Sequence, residues 1–369
     1  MLYKGDPYWV PPLVSMQRAK LDRTKNPSWK HMEGDYFIAW RGEQPVGTIA
    51  AFINHRHNEF RHEHIGFFGM FECRDDPEAA HALLATAAEY IRARGYDAIR
   101  GPASFHLDEE CGLLIKGFED PPVLLMPYNP PYYQRLLGTA PGFAKVMDVI
   151  SYHMTLDNWT TSEKLEQTLR VTRRNNERRG ITVRQADPKN LTAALELLRG
   201  IYASAWENNW GFVPPTDDEL NKLFSDLKMF VDARLVFFAY VKGEPVAFLL
   251  ALPDLNQALK AAYSRPGKPN LISMAQVFWH WKIRPKIKRV RIALMGVREG
   301  FRGIGVEAAM FAEFYQQAPA ISRETGWAEA DAGWVLETNE PMTRLVAAYG
   351  GDDYKHYRFY ERPLGPPTL

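Results

Sequence analysis

Two pairs of similar segments occur in the same order along the chain, and an internal repeat is the feature that most narrows its fold. Residues 37–47, FIAWRGEQPVG, resemble residues 237–247, FFAYVKGEPVA. Each reads as an aromatic strand, a Gly-Glu turn and a second strand, which predicts a β-hairpin. Residues 123–137 and 333–346 form the second pair, in which an apolar strand ends at an asparagine and a proline marks the next helix. We therefore predict two copies of one α/β unit.

A predicted helix connects the two copies. Thr160 opens a capping-box pattern at its start, and Gly180 is a natural helix stop at its end. We place the first domain at residues 1–158, the connecting helix at residues 159–180 and the second domain at residues 181–369.

The charge balance narrows the range of partners. Lys and Arg number 45 and Asp and Glu number 44, so the net charge of +1 provides no overall field that would attract nucleic acid or an anionic membrane. The two cysteines, Cys73 and Cys111, are too few for a disulfide framework or a zinc ribbon. We expect a cytoplasmic protein with no metal site, no membrane contact and no nucleic acid partner.

The order of elements in the second half suggests a known fold. A strand and a helix come first, followed by the hairpin, a strand before a glycine turn, a helix, the strand ending at Asn339, another helix and a last strand. This order resembles the GNAT fold of the Gcn5-related N-acetyltransferases. The whole chain resembles tandem-GNAT proteins, akin in architecture to the Fem-type aminoacyltransferases and to mycothiol synthase. The resemblance implies an α/β fold with two GNAT-like domains, each a mixed, mostly antiparallel sheet flanked by helices.

The glycine turn of the second half carries the main test of that resemblance. GNAT enzymes bind the acyl-CoA pyrophosphate with an Arg/Gln-x-x-Gly-x-Gly/Ala loop, and Arg302 and Gly305 match it while Glu307 departs from it. Backbone N–H groups at a glycine turn that opens a helix favour an anion. By resemblance, the acyl-CoA, expected to be acetyl-CoA, contacts Met295, Gly296, Val297, Arg302, Gly303, Ile304, Gly305 and Asn339.

The corresponding turn of the first half differs. Asp75, Asp76 and Glu78 stand where the glycines would be, and carboxylates at this position repel a pyrophosphate. We therefore expect a degenerate loop in the first half and a single cofactor site in the second.

The catalytic residues follow from the same resemblance. Many GNAT enzymes have a general-acid tyrosine seven residues after the asparagine, and Val346 occupies that position here. Tyr349, one helical turn later, is the candidate acid, although a core or surface role is an open alternative. Glu337 is the first candidate to take the proton of the amine, and Glu329 and Asp331 are alternatives.

Aromatic segments from both halves are candidates for the acceptor pocket. In GNAT proteins the region after the first strand walls the acceptor site, and by resemblance this role falls on Trp206, Asn209 and Trp210. Tyr128 and Tyr133 are candidates from the first half. Packing between the two halves is the alternative role for Trp206 and Trp210.

The predicted function is N-acyl transfer, with acetyl as the expected group, from acyl-CoA to the amine of a small molecule or peptide. The amine attacks the thioester directly. Two alternatives stay open: a Fem-like transferase that uses aminoacyl-tRNA, and a non-catalytic binding protein on a GNAT scaffold.

Overall fold

The computed structural model describes residues 2–105, 110–155, 163–205, 209–228, 230–265 and 267–365. The strands and helices of the first half and the connecting helix are α1 (Val14–Leu21), β1 (Met32–Arg41), β2 (Gln44–Asn54), α2 (His55–Arg61), β3 (Ile65–Cys73), α3 (Pro77–Arg92), β4 (Ala98–Gly101), β5 (Leu113–Lys116), α4 (Tyr133–Gly138), β6 (Ala144–Thr155) and α5 (Glu163–Arg179).

The second half repeats the alternation of strands and helices. Its elements are β7 (Ile181–Gln185), α6 (Leu191–Ala205), α7 (Asp217–Lys228), β8 (Val236–Val241), β9 (Glu244–Pro253), α8 (Leu255–Ala262), α9 (Asn270–Phe278), β10 (Arg289–Val297), α10 (Val306–Thr325), β11 (Glu329–Leu336), α11 (Glu340–Ala348) and β12 (Asp352–Pro363).

The two predicted hairpins are confirmed and share an irregularity. The β1–β2 register shifts between Ala39 and Trp40, and the β8–β9 register shifts between Ala239 and Tyr240. These are equivalent positions of the sequence repeat. A β-bulge bends and twists a strand locally, so both copies curve in the same way. The repeat therefore extends to backbone geometry.

A single twelve-stranded sheet runs through both halves, in the order β1-β2-β3-β4-β12-β6-β11-β10-β9-β8-β7, with β5 paired to β12. The pairs β3–β4 and β10–β11 are parallel, at matching places in the two halves, and the other described pairs are antiparallel. Helices flank the sheet. The predicted fold class, two GNAT-like units with mostly antiparallel sheets, is confirmed.

The two halves exchange their last strands at the centre of the sheet. Strand β6 comes from the first half but pairs with β11 of the second half. Strand β12, at the end of the second half, pairs with β4 of the first. The two exchanged strands also pair with each other, from Asp352 opposite His153 to Glu361 opposite Ala144. Each half therefore completes the sheet of the other.

The cores follow the same exchange. Tyr152 and Met154 of β6 are buried with Met310 and Phe314 of α10 in the second half. Val149 of β6 is buried in a different cluster, with residues of β2, β3 and β12. Because side chains on a strand alternate between faces, β6 contributes to two cores at once.

The connecting helix is present as α5. It packs against α10 and α11, and it ends before Gly180, whose φ of +66° suits glycine. The predicted capping residue Thr160 lies outside the described residues. The domain limits at residues 158 and 180 stay predictions.

Candidate active site

The parallel pair β10–β11 separates partway along its length. The two strands pair only over residues 289–292 and 329–332, after which β10 continues beside β9 and β11 beside β6. The β9–β10 register shifts between Ile292 and Leu294, which marks a β-bulge of the kind that re-aims a strand next to an active site. The facing edges of β10 and β11 therefore leave a wedge-shaped gap in the sheet.

A cavity of about 180 Å³ lies in this gap. Its apolar and aromatic lining residues include Tyr202, Trp210, Phe212, Ile292, Leu294, Met295, Phe311, Trp334, Val335, Leu336, Met342 and Val346. Asn209, Arg291 and Asn339 add polar side chains. An apolar cavity with a few polar groups is the usual character of a small-molecule site.

The equivalent gap in the first half is filled by the chain itself. Strands β3 and β4 pair only over residues 65–67 and 98–100. The N–H of Ala103 then donates to the carbonyl of Phe68 (2.9 Å), and a Cβ added to Gly69 would lie 1.6 Å from the carbonyl oxygen of Ala103. The backbone after β4 thus occupies the space that stays open in the second half.

The predicted acceptor residues of the second half reach the cavity. Asn209 and Trp210 both line it, whereas Trp206 lies outside the described residues. The Trp210 ring also lies 5.3 Å from the guanidinium carbon of Arg100 and 5.2 Å from the ring of Phe359. Trp210 therefore joins the cavity to the exchanged strand β12 and to the first half.

The two predicted tyrosines of the first half lie elsewhere. The Tyr128 hydroxyl donates to a carboxylate oxygen of Asp6 (2.8 Å). The Tyr133 hydroxyl is buried, where it donates to Glu72 (2.8 Å) and accepts from the N–H of Cys73 (2.8 Å). Burial raises the pKa of Tyr133 well above its usual range, so it stays protonated. Neither tyrosine is among the residues that line the cavity.

The glycine turn before α10 has a left-handed backbone at both glycines, a conformation that favours glycine. Gly303 and Gly305 have φ angles of +71° and +100°, and no side chain caps the start of α10. Asn175 of α5 covers the turn, because its side-chain amide donates to the carbonyl of Ile304 (3.0 Å). A Cβ at Gly305 would lie 2.4 Å from this amide nitrogen, whereas a Cβ at Gly303 would meet nothing within 4 Å. Sequence reasoning missed Asn175, since α5 approaches the turn only in the folded chain.

The side chain of Arg302 braces the turn internally. Its guanidinium donates to the carbonyls of Val297 (3.3 Å) and Ala205 (2.7 Å). It thereby ties the end of β10 to the last residue of α6.

The remaining predicted cofactor residues divide between the cavity and the sheet. Met295 and Asn339 line the cavity, and Asn339 also caps α11 by accepting from the N–H of Met342 (3.3 Å). Gly296 and Val297 lie further along β10, where they pair with β9.

Tyr349 turns away from the cavity. It is 1% exposed, and its hydroxyl donates to the carbonyl of Ala308 (3.0 Å) and lies 3.3 Å from the hydroxyl of Thr172. Burial raises the pKa of Tyr349. Val346, at the position where many GNAT enzymes have the tyrosine, lines the cavity instead. Tyr349 therefore lies in the core, which was the alternative to its predicted role as the general acid.

Glu337 lies just beyond the cavity-lining part of β11. Its carboxylate accepts from the Lys145 ammonium (2.6 Å) and from the N–H of Asp148 (2.9 Å). Both partners belong to the exchanged strand β6. These contacts engage Glu337 in holding the two strands together.

A buried ion pair borders the cavity. Arg291, which lines it, donates to the carbonyls of Gly333 (3.1 Å) and Leu124 and lies 4.0 Å from a carboxylate oxygen of Asp331. Asp331 also accepts from the hydroxyl of Tyr354. Burial raises the pKa of the Asp331 carboxyl and lowers that of the Arg291 guanidinium. The sequence does contain a signal for this pair, because each of the two charged residues lies inside an otherwise apolar strand.

Two basic neighbours keep the Glu329 carboxylate ionised. The His153 ring (3.4 Å) and the Arg289 guanidinium (2.9 Å) lower its pKa to about 2 against the opposing effect of burial. A carboxylate with so low a pKa is a weak base at neutral pH.

This low pKa predicts an acid-sensitive contribution to stability. A carboxylate with a folded pKa below its unfolded value stabilises the fold above about pH 4.5, and this contribution is lost as the pH falls toward about 2. Glu329→Gln is therefore expected to unfold at lower urea than the wild type near pH 6, with a difference that shrinks by pH 3. Glu177→Gln, on the exposed face of α5, is the matched control. A Glu329→Gln difference that does not vary with pH would contradict the prediction.

Two other kinds of site are not seen in the described part of the chain. No group of three His, Cys, Asp or Glu side chains there is arranged to hold a metal ion. No described helix combines the length and apolar character needed to cross a bilayer.

Known proteins with similar sequences include members of the acetyltransferase (GNAT) family. A family model described as an acetyltransferase (GNAT) domain matches residues 163–259. The chain is 31% identical to Protein YghO of Escherichia coli (strain K12), covering 98% of this chain and 90% of that protein. It is 33% identical to a bacterial ceramide synthase of Caulobacter vibrioides (strain NA1000 / CB15N), covering 97% and 91%.

Solved structures show the same fold at low identity. A tandem GNAT protein from the clavulanic acid biosynthesis pathway superposes with a TM-score of 0.52 at 12% identity, covering 99% of this chain and 92% of that one. The splayed strand pair, the glycine turn and the full-length relatives lead to one assignment. The chain belongs to the GNAT family of acyltransferases and is a tandem-GNAT protein.

Proposed function

We propose that this protein transfers a long acyl chain from acyl-CoA to the primary amine of a lipid-like acceptor. The observation that carries the proposal is the cavity between the splayed strands β10 and β11. Its walls are mainly apolar and aromatic. Burial of apolar surface favours a hydrocarbon chain by about 25 cal/mol per Å², so such walls suit acyl chains.

The acceptor class is proposed from a relative. A ceramide is a sphingoid base with an amide-linked acyl chain, and the relative that is 33% identical bears the name bacterial ceramide synthase. The sequence resemblance alone led us to expect acetyl. The apolar lining and this relative together favour a longer acyl group and a sphingoid amine.

The chemistry needs little from the protein beyond placement. The amine nitrogen attacks the thioester carbonyl, a C–N bond forms, the C–S bond breaks and CoA leaves as the thiolate while the amine loses a proton. Main-chain N–H groups on the open edge of β10, near the bulge at residue 293, are suited to stabilise the developing oxyanion. Of the three candidate carboxylates we assign the proton to Asp331, which lies beside the cavity-lining Arg291 and whose pKa, unlike that of Glu329, is not lowered.

The cosubstrate fits the glycine turn. The start of α10 has no side-chain cap, and Gly303 and Gly305 have positive φ angles. Backbone N–H groups in such a turn at a helix N-terminus favour an anion such as a pyrophosphate. The Asn175 amide beside this turn adds a further polar group.

The test measures N-acylation of sphinganine by mass spectrometry, with palmitoyl-CoA and acetyl-CoA compared as donors. We expect product with palmitoyl-CoA and a lower kcat/KM with acetyl-CoA. A preference for acetyl-CoA would contradict a long acyl chain and would indicate that the transferred group is acetyl. A chain that binds neither CoA thioester would support the non-catalytic or the aminoacyl-tRNA alternative.

A variant pair tests the position of the cosubstrate. Gly303→Asp places a negative charge beside the pyrophosphate, and Gly303→Asn places a neutral side chain of the same shape there. Both residues tolerate a positive φ, and the added Cβ meets nothing within 4 Å. Two like charges a few ångströms apart in a partly polar site repel by about 2–4 kcal/mol. Gly303→Asp should therefore raise the KM for acyl-CoA about tenfold or more. Equal effects of Asp and Asn would contradict an anion site at the turn.

A further inference from the structure

Helix α9 and the turn that follows it expose an unusual amount of apolar side chain. Of the fourteen large hydrophobic residues that are exposed in the described chain, six lie here: Leu271, Ile272, Met274, Phe278, Trp279 and Ile283. Leu271 is 80% exposed and Phe278 is 54% exposed. Within α9 only Ser273 is buried. Amphipathic helices normally place their apolar face on the core, so this apolar face is available to something outside the protein.

The same part of the chain is strongly basic, although the whole chain is nearly neutral. Between residues 255 and 298 there are ten Lys and Arg residues and no Asp or Glu. Five of these cations are exposed and form no ion pair with a described residue, one before α9 in the sequence and four after it: Arg265, Lys282, Arg284, Lys286 and Lys288. The carboxylate that Lys282 influences, Asp232, is already paired with Arg234 (2.7 Å). We call the six apolar and five basic residues the basic apolar surface.

Helix α1 extends this surface at one end. The Ser15 hydroxyl lies 2.9 Å from the side-chain oxygen of Asn270, the first residue of α9. None of the residues of α1 is buried, none is acidic, and Met16 is 58% exposed. The first helix of the chain therefore adds a further exposed apolar side chain and no opposing charge.

We propose, in place of the absence of membrane contact expected from the net charge, that the basic apolar surface docks the protein on an anionic lipid bilayer. The surface would lie in the interface without crossing it. Apolar side chains enter the boundary between headgroups and acyl chains, a tryptophan suits the headgroup level, and Lys and Arg attract anionic headgroups. Each cation near such a surface contributes about 1 kcal/mol. A second copy of the chain is a poor occupant, since two identical surfaces would bring five unpaired cations against five others.

A chain of contacts links the docking surface to the candidate active site. Leu124 packs against a buried cluster formed by Leu255, Ala258 and Ile287. Leu255 and Ala258 belong to α8, and Val277 of α9 packs against the same cluster. The carbonyl of Leu124 also accepts from Arg291, which lines the cavity. A bilayer at this surface would thus bring lipid molecules near the cavity. This consequence rests on the proposed function, whereas the docking itself does not.

The test is sedimentation of the full chain with sucrose-loaded vesicles of phosphatidylcholine alone or with a quarter of phosphatidylglycerol. We expect binding to the anionic vesicles that exceeds binding to neutral ones and falls when salt is raised from about 0.1 M to 0.5 M, because salt screens charges. Leu271→Ser/Phe278→Ser and Arg284→Glu/Lys286→Glu should each reduce the partition coefficient about tenfold or more. All four side chains are exposed, so the folded state should be kept, which thermal melting verifies.

Matched variants elsewhere serve as controls. Ile38→Ser/Trp40→Ser on β1 and Arg173→Glu/Arg174→Glu on α5 change the same number of exposed residues and should bind vesicles as the wild type does. Absence of binding, equal binding to neutral and anionic vesicles, or equal losses in the control variants would each overturn the proposal. So would a wild-type dimer that Leu271→Ser/Phe278→Ser converts to a monomer, since a second copy would then cover the surface. Acyl transfer to sphinganine in detergent is measured in parallel, so a failure of docking is distinguished from a failure of the proposed function.

Discussion

Replacing Arg291 with methionine is expected to lower the free energy of unfolding by about 3–5 kcal/mol, because the change leaves the buried Asp331 carboxylate without its cation. Arg291 is almost fully buried and also donates to the carbonyls of Gly333 and Leu124. One oxygen of Asp331 has no hydrogen-bond partner even in the wild type. Urea unfolding followed by circular dichroism at pH 7 measures the difference.

A second variant separates the unpaired charge from the lost packing. Arg291→Met/Asp331→Asn removes both charges, so it should regain a large part of the lost stability if the unpaired carboxylate is the main cost. Arg323→Met, on the exposed end of α10, is the matched control and should change stability by less than about 0.5 kcal/mol. If Arg291→Met were as stable as the wild type, the ion pair would have no structural role.

Residues 1–158 and residues 181–369, expressed separately, are each expected to be insoluble or to lack a cooperative melting transition. The second half alone loses β6, which pairs with both β11 and β12 and contributes Tyr152 and Met154 to its core. The first half alone loses β12, which pairs with β4, β5 and β6. Each fragment would expose unpaired strand edges at the centre of a sheet, where they favour aggregation.

Co-expression is the control for this prediction. For this control the second fragment begins at residue 159, so that α5 is included. Because the lost strands are then supplied by the partner fragment, the two halves together should yield a soluble complex that melts as one unit. The measurements are solubility, thermal melting and acyl-CoA binding of each half and of the complex. A second half that melts cooperatively by itself and binds acyl-CoA like the full chain would show that β6 is dispensable.

Local patterns in the sequence were sufficient for much of the architecture. The repeat at residues 37–47 and 237–247 predicted two hairpins, because an aromatic strand, a Gly-Glu turn and a second strand that opens with Pro-Val leave few other conformations. The glycine turn around Gly303 could be predicted as well, since positive φ angles strongly favour glycine. The order of these elements was then enough to indicate a tandem GNAT fold.

The sequence was less informative about the side chains of the candidate site. Tyr349 lies one helical turn from Val346, yet Val346 lines the cavity and Tyr349 is held in the core by Ala308 and Thr172. A helical pattern gives the angular spacing of two residues and leaves open which neighbouring elements cover them. The cover over Gly305 likewise depends on Asn175, which lies far away along the chain.

Local sequence patterns were enough to predict the two hairpins, the repeated α/β unit, the connecting helix and the glycine turn of the second copy. Three features became visible only in the folded chain. Strands β6 and β12 pair with strands of the opposite half, residues after β4 fill the first-half gap, and the apolar face of α9 is exposed. The physical reason is that backbone conformation responds to neighbours a few residues away. Strand partners, buried ion pairs and exposed faces depend on contacts between residues that are distant in the sequence. One pattern of apolar residues is compatible with several different arrangements of such contacts.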